Sequence, residues 1–422
     1  MKISPEGEQE FIVPNQTIKL TKMNRSIYIM ALGAFGIITT EFGVIGILPA
    51  LSLHFSISID TAGWLLSAFA LTVAVTGPFT TALTARINRK HILLMVLSVF
   101  VVSNILSAFS SSFPMLMIAR ILPAFLHPVF WAVSVSVAAK QAGPKDAPRA
   151  IAVVMAGLSV ATVLGVPLTT YAADVFGWQA AFFLAGLINL LAFGGLAFFV
   201  PSMPVTEKQS AQNYASVLSN VTLWIKLGTV LVTLAGMFAS YSYLAEFMGK
   251  VSHMNGREIS IMLLVFGITG IAGNWAMGIA LSKNVLLTTR LFLLTLILTH
   301  ILAYQFGGYF VPAVFILSIW GFIHTGGFLA ANIHVTSGVP AKNLEVVNSL
   351  LPSFYNAGIT AGSLLGGFVI ARFGIQNVIW MSVPLLTLAL GLTYLSQTGK
   401  KVSAEVEELI TEELRKPLLE AS

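Results

Sequence analysis

The chain has 422 residues, of which 56% are hydrophobic and 9% charged, with a mean hydropathy of +0.86. A soluble domain carries about 25% charged residues, so this composition excludes a water-soluble globular protein and points to an integral membrane protein. The net charge of +6 does not suggest a nucleic-acid partner, because the cations are scattered between apolar runs as orientation signals are. Cys is absent, which excludes a disulfide framework, a thiolate nucleophile and a Cys-ligated metal.

Residues 1–25 are polar, with Glu6, Glu8 and Glu10 and no evident cleavage site, and are expected to remain as a cytoplasmic tail. Apolar runs long enough to cross about 30 Å as helix follow at Tyr28 to Pro49, Ala62 to Ala85, Ile92 to Phe109, Met115 to Ala139, Ala150 to Ala173 and Ala180 to Val200. After a polar break come Leu223 to Phe247, Ile259 to Leu281, Thr288 to Phe306, Tyr309 to Val335, Val346 to Ala371 and Val378 to Ser396. The prediction is an all-α membrane protein of twelve spans: a six-helix half over 26–200, a cytoplasmic linker over 201–222, a second half over 223–397 and a tail over 398–422. Residues Ser403 to Leu419 of that tail space Val406, Leu409, Ile410 and Leu414 as a short amphipathic helix does.

Lys and Arg cluster in alternate connections, such as Lys19, Lys22 and Arg25, Arg86, Arg89 and Lys90, and Lys140, Lys145 and Arg149. The other connections hold Lys250, Arg257 and Arg372. This asymmetry predicts that both termini are cytoplasmic.

The halves also repeat one another. Span two holds Gly77 and runs into Arg86 and Arg89, and span eight ends in a comparable Gly278 to Lys283 stretch. Span five carries Gly157, Gly165 and Pro167, and span eleven carries Gly358, Gly362, Gly366 and Gly367. Two structural repeats predict a binding site between them near the bilayer midplane, with small residues where helices approach closely and rock.

Thr81 to Lys90 resembles the loop signature of the major facilitator superfamily, although Ala85 stands where the family has Asp, and Thr81 and Asn88 where it has Gly. Arg120 to Ala124 resembles the R-x-x-x-G motif, and Gly157 to Pro167 a relaxed form of the glycine-rich antiporter motif. Together with the Glu41-Phe42 segment, Ala124 to Trp131 and Gly177 to Phe182, these are similar to the twelve-span drug:proton antiporters, near the arabinose-type sugar and purine-nucleoside efflux members. The resemblance implies a bacterial inner-membrane transporter that works by alternating access. It also implies a small-molecule substrate and protons as partners, with function as a monomer in the lipid bilayer.

The buried polar residues give that expectation candidates. A charge at the bilayer centre costs about 3 kcal/mol on insertion scales, so Glu41 in span one needs a partner. At about 1.5 Å per residue, Glu41 lies roughly 20 Å from the cytoplasmic end and Arg120 roughly 9 Å from the outer end of span four. The two fall at similar heights. They are predicted to pair, either as a switch that carries a proton or as a static ion pair. His127 and His324 fall at comparable depths in spans four and ten, and each either titrates, binds solute or is a satisfied buried residue. Trp131 lies one turn beyond His127 on the same face. Tyr241 and Asn356 complete an apolar wall with few polar groups, as a ligand pocket has. Tyr243 is expected at the membrane interface instead, and Asp174, Glu246 and His300 are given no functional role. Such a wall suits a neutral polar or amphipathic solute: a sugar, a nucleoside or a drug. Efflux by antiport leads, with symport or facilitated diffusion as the alternative. No cofactor or metal is called for, and no hydrolase elbow or metal-binding helix motif supports an intramembrane enzyme.

Overall fold

The computed structural model describes residues 2–3, 9–13, 16–19, 24–204, 219–339 and 341–396. The amphipathic tail segment and most of the linker lie outside the described residues. Short antiparallel strands at Lys2–Ile3, Gln9–Val13 and Gln16–Lys19 precede the bundle.

Twelve apolar helices follow: α1 (Arg25–Phe55), α2 (Ile59–Gly77), α3 (Arg89–Ala108), α4 (Phe113–Gly143), α5 (Arg149–Phe176), α6 (Trp178–Phe199), α7 (Val221–Lys250), α8 (Gly256–Lys283), α9 (Val285–Phe306), α10 (Phe310–Thr336), α11 (Leu350–Phe373) and α12 (Ile375–Ser396). Hydrocarbon cannot solvate peptide groups, so each run satisfies its own backbone as helix. Asn side chains cap the free N–H groups where α1, α3, α7, α8 and α9 begin, at Asn24, Asn88, Asn220, Asn255 and Asn284. Leu83, Ile118, Trp275 and Phe315 are among the large apolar side chains left on the outside, as a lipid-facing surface requires. The chain is a multi-pass membrane protein. α1 runs on to Phe55, six residues past Pro49, where the sequence pattern ends it.

Three spans are interrupted. α4 is broken by a turn at Phe125–Leu126, α7 at Ser242–Tyr243 and α10 at Thr325–Gly326. In α4 the break lies between Pro123 and Pro128, and neither ring nitrogen can donate to the helix ladder. α5 contains a single wide π-helical turn, Ala161–Gly165, two residues before Pro167.

Glycines set the packing inside each half. A methyl group on Gly157 of α5 would meet Ala34 Cβ of α1 at 2.8 Å, and one on Gly358 of α11 would meet Leu234 Cβ of α7 at 2.8 Å. Gly165 in the first half, and Gly362 and Gly366 in the second, leave equally little room against Thr39, Ala235 and Ala239. Gly77 is looser, with its nearest neighbour Pro128 at 3.3 Å from such a methyl. The same contact thus recurs two hundred positions on, which aligns α1 with α7 and α5 with α11. The internal repeat is present as packing.

Between the halves, the tightest contacts lie at the face opposite the two termini. Thr360 of α11 donates to Ser67 O of α2 at 3.4 Å, and Ser363 donates to Gly63 O at 3.5 Å. Gly267 of α8 abuts the backbone of Val163, and Gly256 leaves no room for a methyl beside the Asp174 carboxylate. Tyr243 lies here too, 1% exposed, its hydroxyl donating to Ser363 O at 2.9 Å and resting on Gly63 of the other half. This corrects the interfacial placement. The ring fills the seam because glycine on α2 leaves space for it. One apolar cluster runs through both halves, whereas a second is confined to the first half.

Candidate functional site

Glu41 is 2% exposed, deep in α1. Its Oε2 lies 3.1 Å from Nε2 of His127, the first residue after the α4 break. Trp131, one turn on, donates its indole N–H to the same Nε2 at 3.2 Å. The shared helix face inferred from spacing is therefore a hydrogen bond.

Arg120, 1% exposed, reaches the same stretch of α1 but does not pair with the carboxylate. Its Nη1 donates to Thr40 O and its Nη2 to Glu41 O at 3.1 Å. Depth alone put the two residues together correctly; the predicted carboxylate–guanidinium contact is absent among the described residues. A helical carbonyl keeps a second lone pair after accepting its own helix bond. The planar guanidinium fork spans two consecutive carbonyls of that kind, while the carboxylate projects toward His127. The guanidinium also stands 5.4 Å from the Phe69 ring centre, and Phe69 meets His127 edge-on at 5.8 Å. Phe69 thus joins the cation to the imidazole through an uncharged face.

Thr40 ties in two further helices. Asn104 of α3 and Asn189 of α6 each donate to its Oγ1 at 3.0 Å, and that hydroxyl donates to Gly36 O at 2.9 Å. Polar bonds therefore fix Thr40 and Glu41 from α3, α4 and α6. Asn104 and Asn189 were visible as amides inside apolar runs, but their shared target on α1 was not.

In the second half, Tyr241 of α7 stacks on Phe266 with centroids 5.5 Å apart and lies 4.6 Å from the His324 ring. Phe238, Phe266 and Trp320 close around the same imidazole at 6.0, 5.6 and 6.5 Å. His324 ends the first segment of α10, whereas His127 begins the second segment of α4. The two therefore lie about a turn apart along corresponding helices. Asn356 of α11 is buried; its amide donates to Pro352 O of its own helix at 2.9 Å and its Oδ1 has no partner among the described residues. Phe42 of α1 meets Phe238 of α7 at 5.7 Å, bringing the two clusters together across the seam.

The remaining predicted residues fall elsewhere. Arg86 is exposed, and the Arg89 backbone donates to Met203 O at 2.9 Å, so this loop docks on the segment after α6. His300 is bonded to Ser240 at 2.9 Å and Leu296 O at 2.8 Å and faces Trp320 at 4.6 Å. That is a satisfied core histidine. No group of three or more metal-binding side chains occurs among the described residues.

Residues 30–351 match the family model of the Major Facilitator Superfamily. The chain is 28% identical over 371 residues to the putative transporter AraJ of Escherichia coli (strain K12), covering 87% of this chain and 93% of that protein. It is 27% identical over 367 residues to a probable sugar efflux transporter of Helicobacter pylori (strain P12), covering 86% and 93%. A bacterial homologue of the human lysosomal transporter Spinster, solved inward-facing and unoccupied, superposes with a TM-score of 0.73 at 17% identity over 89% of this chain and 97% of its own. Twelve spans, an internal repeat and the matched family model agree: the chain belongs to the major facilitator superfamily and is a membrane transporter.

Proposed function

We propose that this transporter exports a small neutral or amphipathic solute from the bacterial cytoplasm in exchange for protons, by rocking its two halves about the buried clusters. The observation that carries this reading is the Glu41–His127 contact: an ionisable carboxylate buried deep in a span against a titratable imidazole. Intramembrane acid–imidazole pairs are the usual material of proton relays. Glu41 and His127 carry the proton, and Arg120 holds α4 to α1 while supplying the compensating charge. Trp131, Tyr241, His324 and Asn356 line the solute's side. Gly157, Gly165 and Pro167 provide the tight, π-bulged contact between α5 and α1 that shifts as the halves move.

The similarity to proteins called sugar efflux transporters supports efflux and favours a sugar within the solute class. With both termini read as cytoplasmic, the face where the halves touch through Tyr243, Thr360 and Ser363 is periplasmic. The test is flux in proteoliposomes with and without an imposed pH gradient, assayed with pentose, purine-nucleoside and antibacterial probes. Glu41→Gln is expected to abolish gradient-driven flux while preserving solute–solute exchange. Undiminished gradient dependence in that variant refutes the proton role, and solute uptake that follows inward proton flow replaces antiport with symport.

A further inference from the structure

His127 Nε2 has two partners, Glu41 Oε2 at 3.1 Å and the Trp131 indole nitrogen at 3.2 Å. A ring nitrogen carries either a hydrogen or a lone pair. With a hydrogen on Nε2, the imidazole donates to an ionised Glu41, and the Trp131 N–H is left facing another N–H. With a lone pair on Nε2, Trp131 can donate to it. An ionised Glu41 would then set lone pair against lone pair, so the carboxyl must hold its own proton and share that acceptor. The indole bond therefore goes with a protonated Glu41.

The surroundings leave this exchange free to happen. His127 Nδ1 is buried and has no partner among the described residues, so none of them fixes the tautomer from that side. Among the described residues, the ionisable groups at Glu41 are His127 and Arg120, both from α4. The other packed helices present Phe69 from α2, Asn104 from α3, Thr169 from α5, Asn189 from α6 and Phe238 from α7, all uncharged. Trp131 itself is partly open and packs against both apolar clusters of the molecule. It thus links the proton site to the apolar cluster that both halves share.

We propose that the Trp131 N–H is a hydrogen-bond donor to the solute that becomes available when Glu41 gives up its proton. Glu41 releases one proton to solvent, the imidazole hydrogen exchanges from Nδ1 to Nε2, and Nε2–H then donates to the carboxylate. The freed indole donates to an acceptor oxygen of the incoming solute. Proton and solute thus exclude one another through a single imidazole nitrogen, and a solute lacking a hydroxyl or carbonyl acceptor is disfavoured. This deepens the proton-coupled reading above and rests on it.

The experiment is infrared difference spectroscopy of the purified full chain across pH, following the protonated-carboxyl band that disappears in Glu41→Gln. Trp131→Phe keeps a ring and deletes the N–H. At the pH where Glu41 is half protonated in the unsubstituted protein, this variant should reduce the protonated-to-ionised ratio roughly fivefold, the factor a net hydrogen bond supplies. In the unsubstituted protein, ultraviolet Raman markers of indole hydrogen bonding should show one of the seven Trp residues losing its bond with the same midpoint as the carboxyl band. A band unchanged by Trp131→Phe, or an indole signal that does not move with pH, overturns the proposal and leaves the proton role of Glu41 standing. A spectrum with no band removed by Glu41→Gln overturns both.

Discussion

In the first half, Phe69 lies between Arg120 and His127, and Glu41 bonds that imidazole; about two hundred positions on, the second half has Tyr241 and Trp320 around Phe266 with His324. The glycine contacts that align α1 with α7 also align Glu41 with Tyr241, and the same interval takes Arg120 to Trp320. One scaffold therefore carries ionisable groups in one copy and aromatic rings in the other. Charges in hydrocarbon are expensive and are kept where they act, whereas rings provide area and orientation without the cost of burying a charge. Under the proposed function the difference reads as a division of labour: the proton groups lie in the first half alone, while the second half adds an aromatic wall to the solute contact made by Trp131.

The largest test of that division is Arg120→Leu. It removes the cation nearest Glu41 and two charge-assisted hydrogen bonds to α1 carbonyls, each worth about 1.5–3 kcal/mol. Chemical unfolding in detergent should show that loss, and Glu41→Gln in the same chain should recover at least about 1 kcal/mol of it, since neighbours in one network are not additive. The corresponding Trp320→Leu removes only packing, about 3 kcal/mol by analogy with large-to-small core changes, and Glu41→Gln should not recover any of that. Equal recovery in both would erase the electrostatic distinction between the halves.

That distinction was partly legible in the sequence. Composition and run length suffice for twelve spans, because a bilayer admits few alternatives to helix. The depth of Glu41 and Arg120 followed from helix rise alone, and the structure joins these residues. What depth cannot supply is azimuth: which way each side chain leaves its helix, and hence that His127 takes the carboxylate while Arg120 takes the carbonyls. Tyr243 failed for a related reason. Its place near a span end suggests an interface anchor, but Gly63 on another helix makes the pocket that buries it. Phe69 and Phe266 were unmarked among the 29 Phe residues, since only their contacts distinguish them.

If the halves differ in chemistry but share a scaffold, their helix-packing seats should respond alike. Gly157→Ala and Gly358→Ala each place a methyl 2.8 Å from a neighbouring Cβ in corresponding contacts, and overpacking of this kind costs about 1–3 kcal/mol. The two variants are expected to lose thermal stability to within about 1 kcal/mol of each other. A cost confined to Gly157→Ala would trace the π-bulged α5 contact, rather than the shared scaffold, as the strained element.

The smallest effect probes recognition directly. Tyr241→Phe keeps the ring that stacks on Phe266 and His324 and removes one hydroxyl, so folding should hardly change. Losing one solute hydrogen bond is worth about 1 kcal/mol, roughly a fivefold rise in KM. The dependence of flux on pH should stay as it was, because Tyr241 touches neither Glu41 nor His127 among the described contacts. Trp131→Phe makes the matching deletion of one donor on the other side, and there the pH dependence should change. If Tyr241→Phe shifts the pH profile as well, proton and solute are handled by one continuous site, and the division between the halves fails.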